Sequence, residues 1–193
     1  EGKLIRNLEL NDTEAKIAKG FHLLTFKPVL YIANMDEEGV MSPEDNPYFN
    51  QVVEFASTEG SDVIPICAKT EEDLMDLDEE DKQMFFEELN ITERGLDRVI
   101  RTAYTLLDLR TDFTAGEKEV RAWTFHAGAK APEAAGVIHS DFERGFIRAE
   151  IYSYEDLVEF GSELEIRNAG KYRSEGKDYV VQDGDIILFR FNV

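Results

Sequence analysis

Two short apolar runs constrain this chain more than anything else in it. Residues 28–33 read PVLYIA and residues 62–67 read DVIPIC. Both are short and rich in β-branched or aromatic side chains. The first is expected to be a strand buried on both faces, as in a parallel sheet, and the second a partner strand. Between them, Ser42-Pro43-Glu44-Asp45 supplies a cap and an N1 proline. Phe49, Val52, Val53 and Phe55-Ala56 give an apolar face to a helix over 48–57, and Gly60 ends it. Strand, helix, strand is a parallel crossover of right-handed sense. Functional groups of such sheets lie beyond the carboxyl ends of the strands. Asn34-Met35-Asp36-Glu37 follows the first strand and Cys67-Ala68-Lys69 the second, so both loops are expected at one crevice.

The remaining pattern is helical on either side and then turns to strands. Asn11-Asp12-Thr13-Glu14 reads as a capping box opening a helix to about Leu24. Over 70–108, Thr70 with Asp73, Asp78 with Asp81, and Thr92 before Glu93 read as helix starts. Leu96, Val99, Ile100, Ala103, Tyr104 and Leu107 form one stripe, expected to be packing residues. Beyond Leu109 the period changes. EVRAWTF (119–125) and GFIRAEIYSY (145–154) alternate as strands, with a short proline-started helix over 130–142 between them. YEDLVEFGS reads as a short helix, and YVVQDGDIILFRFNV as two β segments around a tight Asp183-Gly184 turn. The expected order is β, α, β, α, β, β: a small curled mixed sheet with a helix across it. The boundaries drawn are 1–24 (helical), 25–108 (α/β) and 109–193 (α+β).

Charge narrows the partners. The 193 residues carry 41 acidic and 21 basic groups, formally −20. Such a surface repels polyanions at long range, so nucleic-acid contact needs a local patch. The run EEDLMDLDEED (71–81) holds eight acids in eleven residues. It lacks the central glycine of a calcium loop and reads as a solvated helix face. His22, His126 and His139 have no metal-ligand spacing, and His139 is expected to be a packing histidine. A single cysteine, Cys67, fits a reducing cytoplasm, and no apolar run approaches a membrane span. The N-terminus, EGKLIRNLEL, has neither an initiator Met nor a long apolar segment, and is expected to be the interior of something longer.

KPVLYIANMDEEG followed by VIPICAKTEEDL resembles the later part of the nucleotide-binding domain of the Obg-like ATPases, the YchF type. The stretches FTAGEKEVRAWTFHAGAKAPEAAGVIHSDFERGFIRAEIYSYEDL and AGKYRSEGKDYVVQDGDIILFRFNV resemble that family's TGS domain. The resemblance implies a partial P-loop-type parallel α/β sheet followed by a small β-grasp-like TGS domain. Residues 1–24 would be the end of the family's coiled-coil arm or its returning helix. No GxxxxGK[ST] phosphate loop occurs in the sequence. The chain is therefore expected to be the C-terminal portion of an ATP- or GTP-binding protein and to be inactive alone. The alternative is a stand-alone TGS-containing binding module without nucleotide function.

The same resemblance assigns roles. Asn34, Met35 and Glu37 would read the base, with Cys67 and Ala68 facing it from the second loop. GTPases read guanine with Asn-Lys-x-Asp; here Glu37 replaces the Asp and Met35 the Lys. The extra methylene spoils the two-pronged fit to guanine, while Asn34 can pair with N7 and an exocyclic amine of a purine. The family is regarded as preferring ATP. Its nucleotide and Mg²⁺ would belong to the whole protein, with none bound to this chain. RNA or ribosome contact would run through Lys118, Arg121, Lys130, Arg144 and Arg148, interleaved with Trp123, Phe125 and Phe146. A second basic cluster is Lys171, Arg173 and Lys177.

Overall fold

The two apolar runs pair in parallel. In the computed structural model β1 (Leu30–Asn34) lies beside β2 (Asp62–Ile66), with Leu30 opposite Asp62 and Asn34 opposite Ile66. The structure describes residues 3–88, 93–116 and 119–192. The helix start read at Thr92, and Lys118, lie outside the described residues. Two units divide between Leu106 and Leu107.

In the first unit the crossover helix starts later than Ser42 implies. That residue serves only a 3-10 turn, Pro43–Asp45, and its side chain caps nothing. The helix α3 (Pro47–Thr58) begins at Asn46, whose Oδ1 accepts from the Tyr48 and Phe49 N–H groups at 2.9 and 3.3 Å. Pro47 takes the first helical position, where its missing N–H costs nothing. Burial of β1 on both faces is not realised: Ile32 is 45% exposed, and in the pair only Ile64 is buried. Two strands give each other a single neighbour, and the helices packed on them, α3 and α6 (Gly95–Leu106), leave Ile32 open.

Elsewhere in this unit local rules hold unevenly. The Asn11–Glu14 capping box forms as the sequence implies and opens α1 (Asp12–Gly20). The helix ends at Gly20 rather than Leu24, because the chain turns through His22 at φ 52 into a 3-10 turn, Leu24–Phe26. A second 3-10 turn, Ile5–Asn7, precedes it. Arg6 from that turn and the Tyr31 hydroxyl meet on Glu59, at 2.7 and 2.9 Å. Asp78 caps α5 (Glu79–Glu88) through the Glu80 and Asp81 N–H groups. Thr70 is no cap: α4 (Ala68–Met75) begins two residues before it. The stripe expected to pack α6 is largely exposed at Leu96, Ile100 and Tyr104, and Leu107 just beyond the helix is exposed too. The helix instead turns Arg98 toward β2, where its guanidinium donates to the Pro65 carbonyl at 2.7 Å.

The second unit is a five-stranded mixed sheet in the order β4-β3-β7-β5-β6. Its strands are β3 (Leu109–Ala115), β4 (Val120–His126), β5 (Phe146–Ser153), β6 (Arg173–Glu175) and β7 (Asp185–Phe191). β3 runs parallel to β7; the other pairs are antiparallel. The helix α7 (Ala131–Ile138) lies across one face, packing Ala131, Ala134 and Ala135 on Phe125, Phe146, Ala149, Ile151, Ile187 and Phe189. Behind α7 comes α8 (Ser140–Arg144), and after β5 come α9 (Tyr154–Phe160) and α10 (Glu163–Asn168). Ile166 of α10 closes a smaller cluster with Tyr152 and Ile186.

The sequence pattern marks neither β3 nor β6, and two of its positive expectations fail in this unit. Residues 179–182 do not pair back on β7 as a hairpin. Val180 bridges Lys130, and the Val181 N–H donates to the Ala129 carbonyl at 3.0 Å. Gly184, at φ 81, turns the chain into β7, while Asp183 Oδ1 accepts from the Thr111 N–H at 2.8 Å. The alternation of β5 also breaks, at a bulge between Phe146 and Arg148, which leaves Ile147 exposed.

Asp112 is fully buried in β3, and among the described residues its carboxylate meets no donor beyond its own backbone N–H. Burial pushes its pKa up to about 7, and the neighbouring Asp185 adds to the shift. Asp185 is itself raised by burial, against the Gln182 N–H and Tyr179 hydroxyl that it accepts from. A carboxyl raised in the fold stabilises fully below its unfolded pKa, and that contribution is lost as pH rises through the folded value. Between about pH 4 and pH 7 the shift is worth roughly 4 kcal/mol. Asp112→Asn is expected to flatten this part of the pH dependence and to be more stable than wild type at pH 8. Urea unfolding of both proteins from pH 4.5 to 8.5 checks it; a constant difference across that range refutes the assignment.

Candidate functional site

The carboxyl ends of β1 and β2 are joined by one side chain. Asn34 ends β1, and its Oδ1 accepts from the Ala68 N–H at 3.0 Å. Ala68 is the first residue of α4, so its N–H has no partner inside the helix, and Asn34 supplies one from across the sheet. One residue on, the Met35 N–H donates to the Ile66 carbonyl at 2.8 Å, extending the parallel ladder past the strand end. Asp36 then caps α2 (Glu37–Met41), accepting from the Gly39 N–H at 2.8 Å. The sulfur of Met35 accepts from the Asn46 side chain at 3.8 Å.

These elements bound a solvent-facing depression of about 680 Å³ lined by Asn34, Met35, Asp36, Glu37, Glu38, Cys67 and Lys69. Four of the five residues read from the sequence as base contacts line it: Asn34, Met35, Glu37 and Cys67. The fifth, Ala68, does not; its N–H is engaged by Asn34. That bond fixes the carboxamide. Oxygen faces Ala68, and the amino group has no protein partner among the described residues. The free half of Asn34 is thus a donor, suited to an acceptor such as a purine N7. Three carboxylates against Lys69 make the lining formally −2, which suits an uncharged ring better than a phosphate.

Glu37 is the first residue of α2, not a loop carboxylate, and Thr70 Oγ1 donates to its Oε1 at 3.2 Å. Sequence reasoning missed Thr70, which it took for a helix start. Nothing in the local spacing of residues 67–73 shows that a side chain 33 positions earlier comes within reach.

The basic residues of the second unit do not form one patch. Arg121 shares a sheet face with Trp123 and Phe125 and stacks 4.1 Å above the Trp123 ring, whose Nε1 donates to Thr114. Arg148 lies on the opposite face beside Glu150 and Tyr152. Lys130 pairs with Asp178 at 2.7 Å, and Arg144 with Asp141. His139 is exposed and caps α8 through Nδ1 to the Asp141 N–H at 3.1 Å, so it is no packing histidine. In the second cluster, Lys171 pairs with Asp156 and Arg173 with Glu175. The sequence did not point to Arg190. It joins Arg148 on Glu150, each 2.9 Å away, and together they pull that carboxyl down to about 2. No group of three metal-ligating side chains occurs among the described residues, and no helix there is long and apolar enough to cross a membrane.

Asn34→Ala removes the acceptor of the Ala68 N–H. Net loss of one such bond is worth about 1 kcal/mol, so exchange of the Ala68 amide in this chain is expected to quicken about fivefold. Hydrogen exchange followed by NMR measures it, and an unaltered rate at Ala68 would show that the bond does not persist in solution.

Residues 109–192 match the family YchF-GTPase_C, described as a protein of unknown function (DUF933). Over 191 residues the chain is 55% identical to the ribosome-binding ATPase YchF of Bacillus subtilis, covering 99% of this chain and 52% of that protein. It is 53% identical over 190 residues to the protein of the same name from Haemophilus influenzae, covering 98% and 52%. The chain thus spans about half the length of the curated relatives it matches. Among solved structures it superposes on the Schizosaccharomyces pombe YchF GTPase with a TM-score of 0.85 at 39% identity, covering 97% of this chain and 50% of that one. A GTP-binding protein from Pyrococcus horikoshii OT3 shares the fold, with a TM-score of 0.61 at 18% identity, covering 95% and 57%.

Proposed function

We propose that this chain, which belongs to the YchF-type Obg-like ATPases and corresponds to their C-terminal half, carries the purine slot and the ribosome-directed TGS module of a longer cytoplasmic ATPase. One observation supports this most: the Asn34 clasp on Ala68, which leaves an amide donor beside an open depression of about 680 Å³ at the carboxyl edge of parallel strands. The ring would enter beside Met35, with N7 toward the Asn34 amino group. The triphosphate of ATP or GTP would point away from the acidic lining, toward a grip that this sequence does not contain. Phosphate contacts and Mg²⁺ dominate nucleotide affinity in such proteins. The sequence has no GxxxxGK[ST] loop, so this chain is assigned the ring alone. Relatives twice its length give no support to a stand-alone module.

Titration with Mg-ATP and phosphate-release assays test the reading. The full-length protein is expected to bind and hydrolyse ATP and the chain by itself to do neither measurably. In the full-length protein Asn34→Ala should weaken ATP binding about tenfold, the cost of one desolvated hydrogen bond. Turnover that follows the isolated chain through purification, or wild-type affinity in the Asn34 variant, would reject it.

The name of the curated relatives places them on ribosomes. For this acidic chain we assign the contact to the second unit, where Arg148 and Arg190 stand side by side, half-exposed and oriented by Glu150. Co-sedimentation of the chain with ribosomes should fall steeply between 50 and 200 mM salt, as for any contact made mainly with phosphates, by about tenfold or more. Reversing both charges, Arg148→Glu with Arg190→Glu, should abolish it; undiminished co-sedimentation of that variant would move the contact elsewhere.

A further inference from the structure

We infer that Thr70 sets the purine preference of the slot, by holding the Glu37 carboxylate away from the ring. This rests on the base-slot reading above.

Glu37 stands on the wall between two spaces. One is the open depression already described. The other is a cavity of about 370 Å³ between α2, β2, α4 and α6, lined in part by Glu37, Thr70, Glu71, Arg94 and Arg98. Thr70 lines only the second. It is nearly buried, 9% exposed, and its hydroxyl donates to Glu37 Oε1 at 3.2 Å, so the bond draws the carboxylate toward the inner cavity. Charge acts in the same direction. Arg94 and Arg98 line that cavity, and the Nε of each is buried without a hydrogen-bond partner. Glu71 answers only one of them, Arg94, at 3.6 Å. Leaving Glu37 aside, Arg94 and Arg98 balance Glu71 and Glu93 on the inner side, while Asp36 and Glu38 exceed Lys69 on the outer side by one charge, so the inward position is the less repulsive of the two.

The consequence follows from the edges of the bases. Guanine carries two donors, N1–H and the N2 amine, which need a facing carboxylate; without one, both are desolvated unpaired. Adenine carries an acceptor at N1 and is spared the repulsion of a carboxylate there. Asn34 donates to N7, which both purines have. With Glu37 withdrawn, the slot accepts a purine and gives guanine no reward. The names of the relatives divide on this point, ATPase for the curated proteins and GTPase or GTP-binding protein for the solved structures. Thr70 touches no ring in this arrangement; it is a positioning residue.

The test compares dissociation constants of ATP and GTP for the full-length protein. Thr70→Val keeps the shape and removes the hydroxyl, and the ratio Kd(GTP)/Kd(ATP) is expected to fall about tenfold. Thr70→Ser restores the hydroxyl and should keep the wild-type ratio, which a merely structural role of the residue would not require. An unchanged ratio in a cooperatively melting Thr70→Val protein overturns the proposal. Should that variant not fold, a crystal structure of the wild-type protein with ATP decides. Glu37 bonded to Thr70 and out of reach of the ring supports the inference, and Glu37 bonded to the ring refutes it. Asn34→Ala separates the two levels. If it weakens both nucleotides while the Thr70→Val ratio stays put, only the role of Thr70 is lost. If it weakens neither, the slot itself is misplaced and the inference falls with it.

Discussion

The hydrogen bond from the Ala68 N–H to Asn34 Oδ1 is the constraint on which the candidate site depends. It spans 34 residues of sequence and ties the end of one strand to the start of the helix that follows the other. Its net worth is about 1 kcal/mol, no more than an ordinary bond. Its geometric effect is larger. It engages the oxygen of the carboxamide and leaves the amino group without a protein partner among the described residues. It occupies the N–H of Ala68, a group that the second loop would otherwise offer a base. It also sets the spacing of the two loops, which Met35 and Ile66 then maintain with a backbone bond. A slot with a donor at a fixed place results from the clasp, whatever occupies it.

An acidic chain can recognise a nucleotide only if its carboxylates are kept from the phosphates, and each unit handles its acids by position. In the first, Asp36 caps α2 and Glu59 collects Arg6 and Tyr31. In the second, Glu150 gathers Arg148 and Arg190, which face each other in the β5–β7 register, on one sheet face. Exposed ion pairs of this kind contribute little stability singly. Their effect is to orient: both guanidiniums are held by one carboxylate. A formal charge of −20 therefore coexists with a local pair of arginines, the pair proposed above for the ribosome contact.

What was legible in the sequence was local. The Asn11–Glu14 box, the Asp78 cap, the paired apolar strands, Gly60 at φ 67 and the proline-started α7 all follow from rules that span four or five residues. What was hidden was set by distant partners. Lys130 finds Asp178 and Arg190 finds Glu150, separations of 48 and 40 residues. No charge count shows that such cations are already paired. The hairpin read at 179–193 obeyed its turn signal at Gly184, but the arm before it was claimed by Lys130. The apolar stripe of α6 has the right period and the wrong neighbour, because Arg98 rather than Leu96 or Ile100 faces β2. Three residues of β6 are too few to leave a period at all.

Two of the misread positions share a form: a polar side chain where the fold has apolar surroundings. Asp112 hid β3, because a buried carboxyl interrupts the alternation that marks a strand. Thr70 passed for a helix cap and turned out to be nearly buried inside α4. They differ in compensation. No donor beyond its own backbone N–H reaches Asp112 among the described residues, so its ionised form carries a cost that protonation relieves, and the fold keeps it at the expense of stability above neutral pH. Thr70 is compensated fully, by one carboxylate that also borders the slot. Natural sequences break local rules most often where function is at stake, but a broken rule alone does not locate function. The satisfied polar group acts on a neighbour, and the unsatisfied one only weakens its surroundings. By that criterion it is the hydroxyl at Thr70, not the carboxyl at Asp112, that bears on the proposed slot.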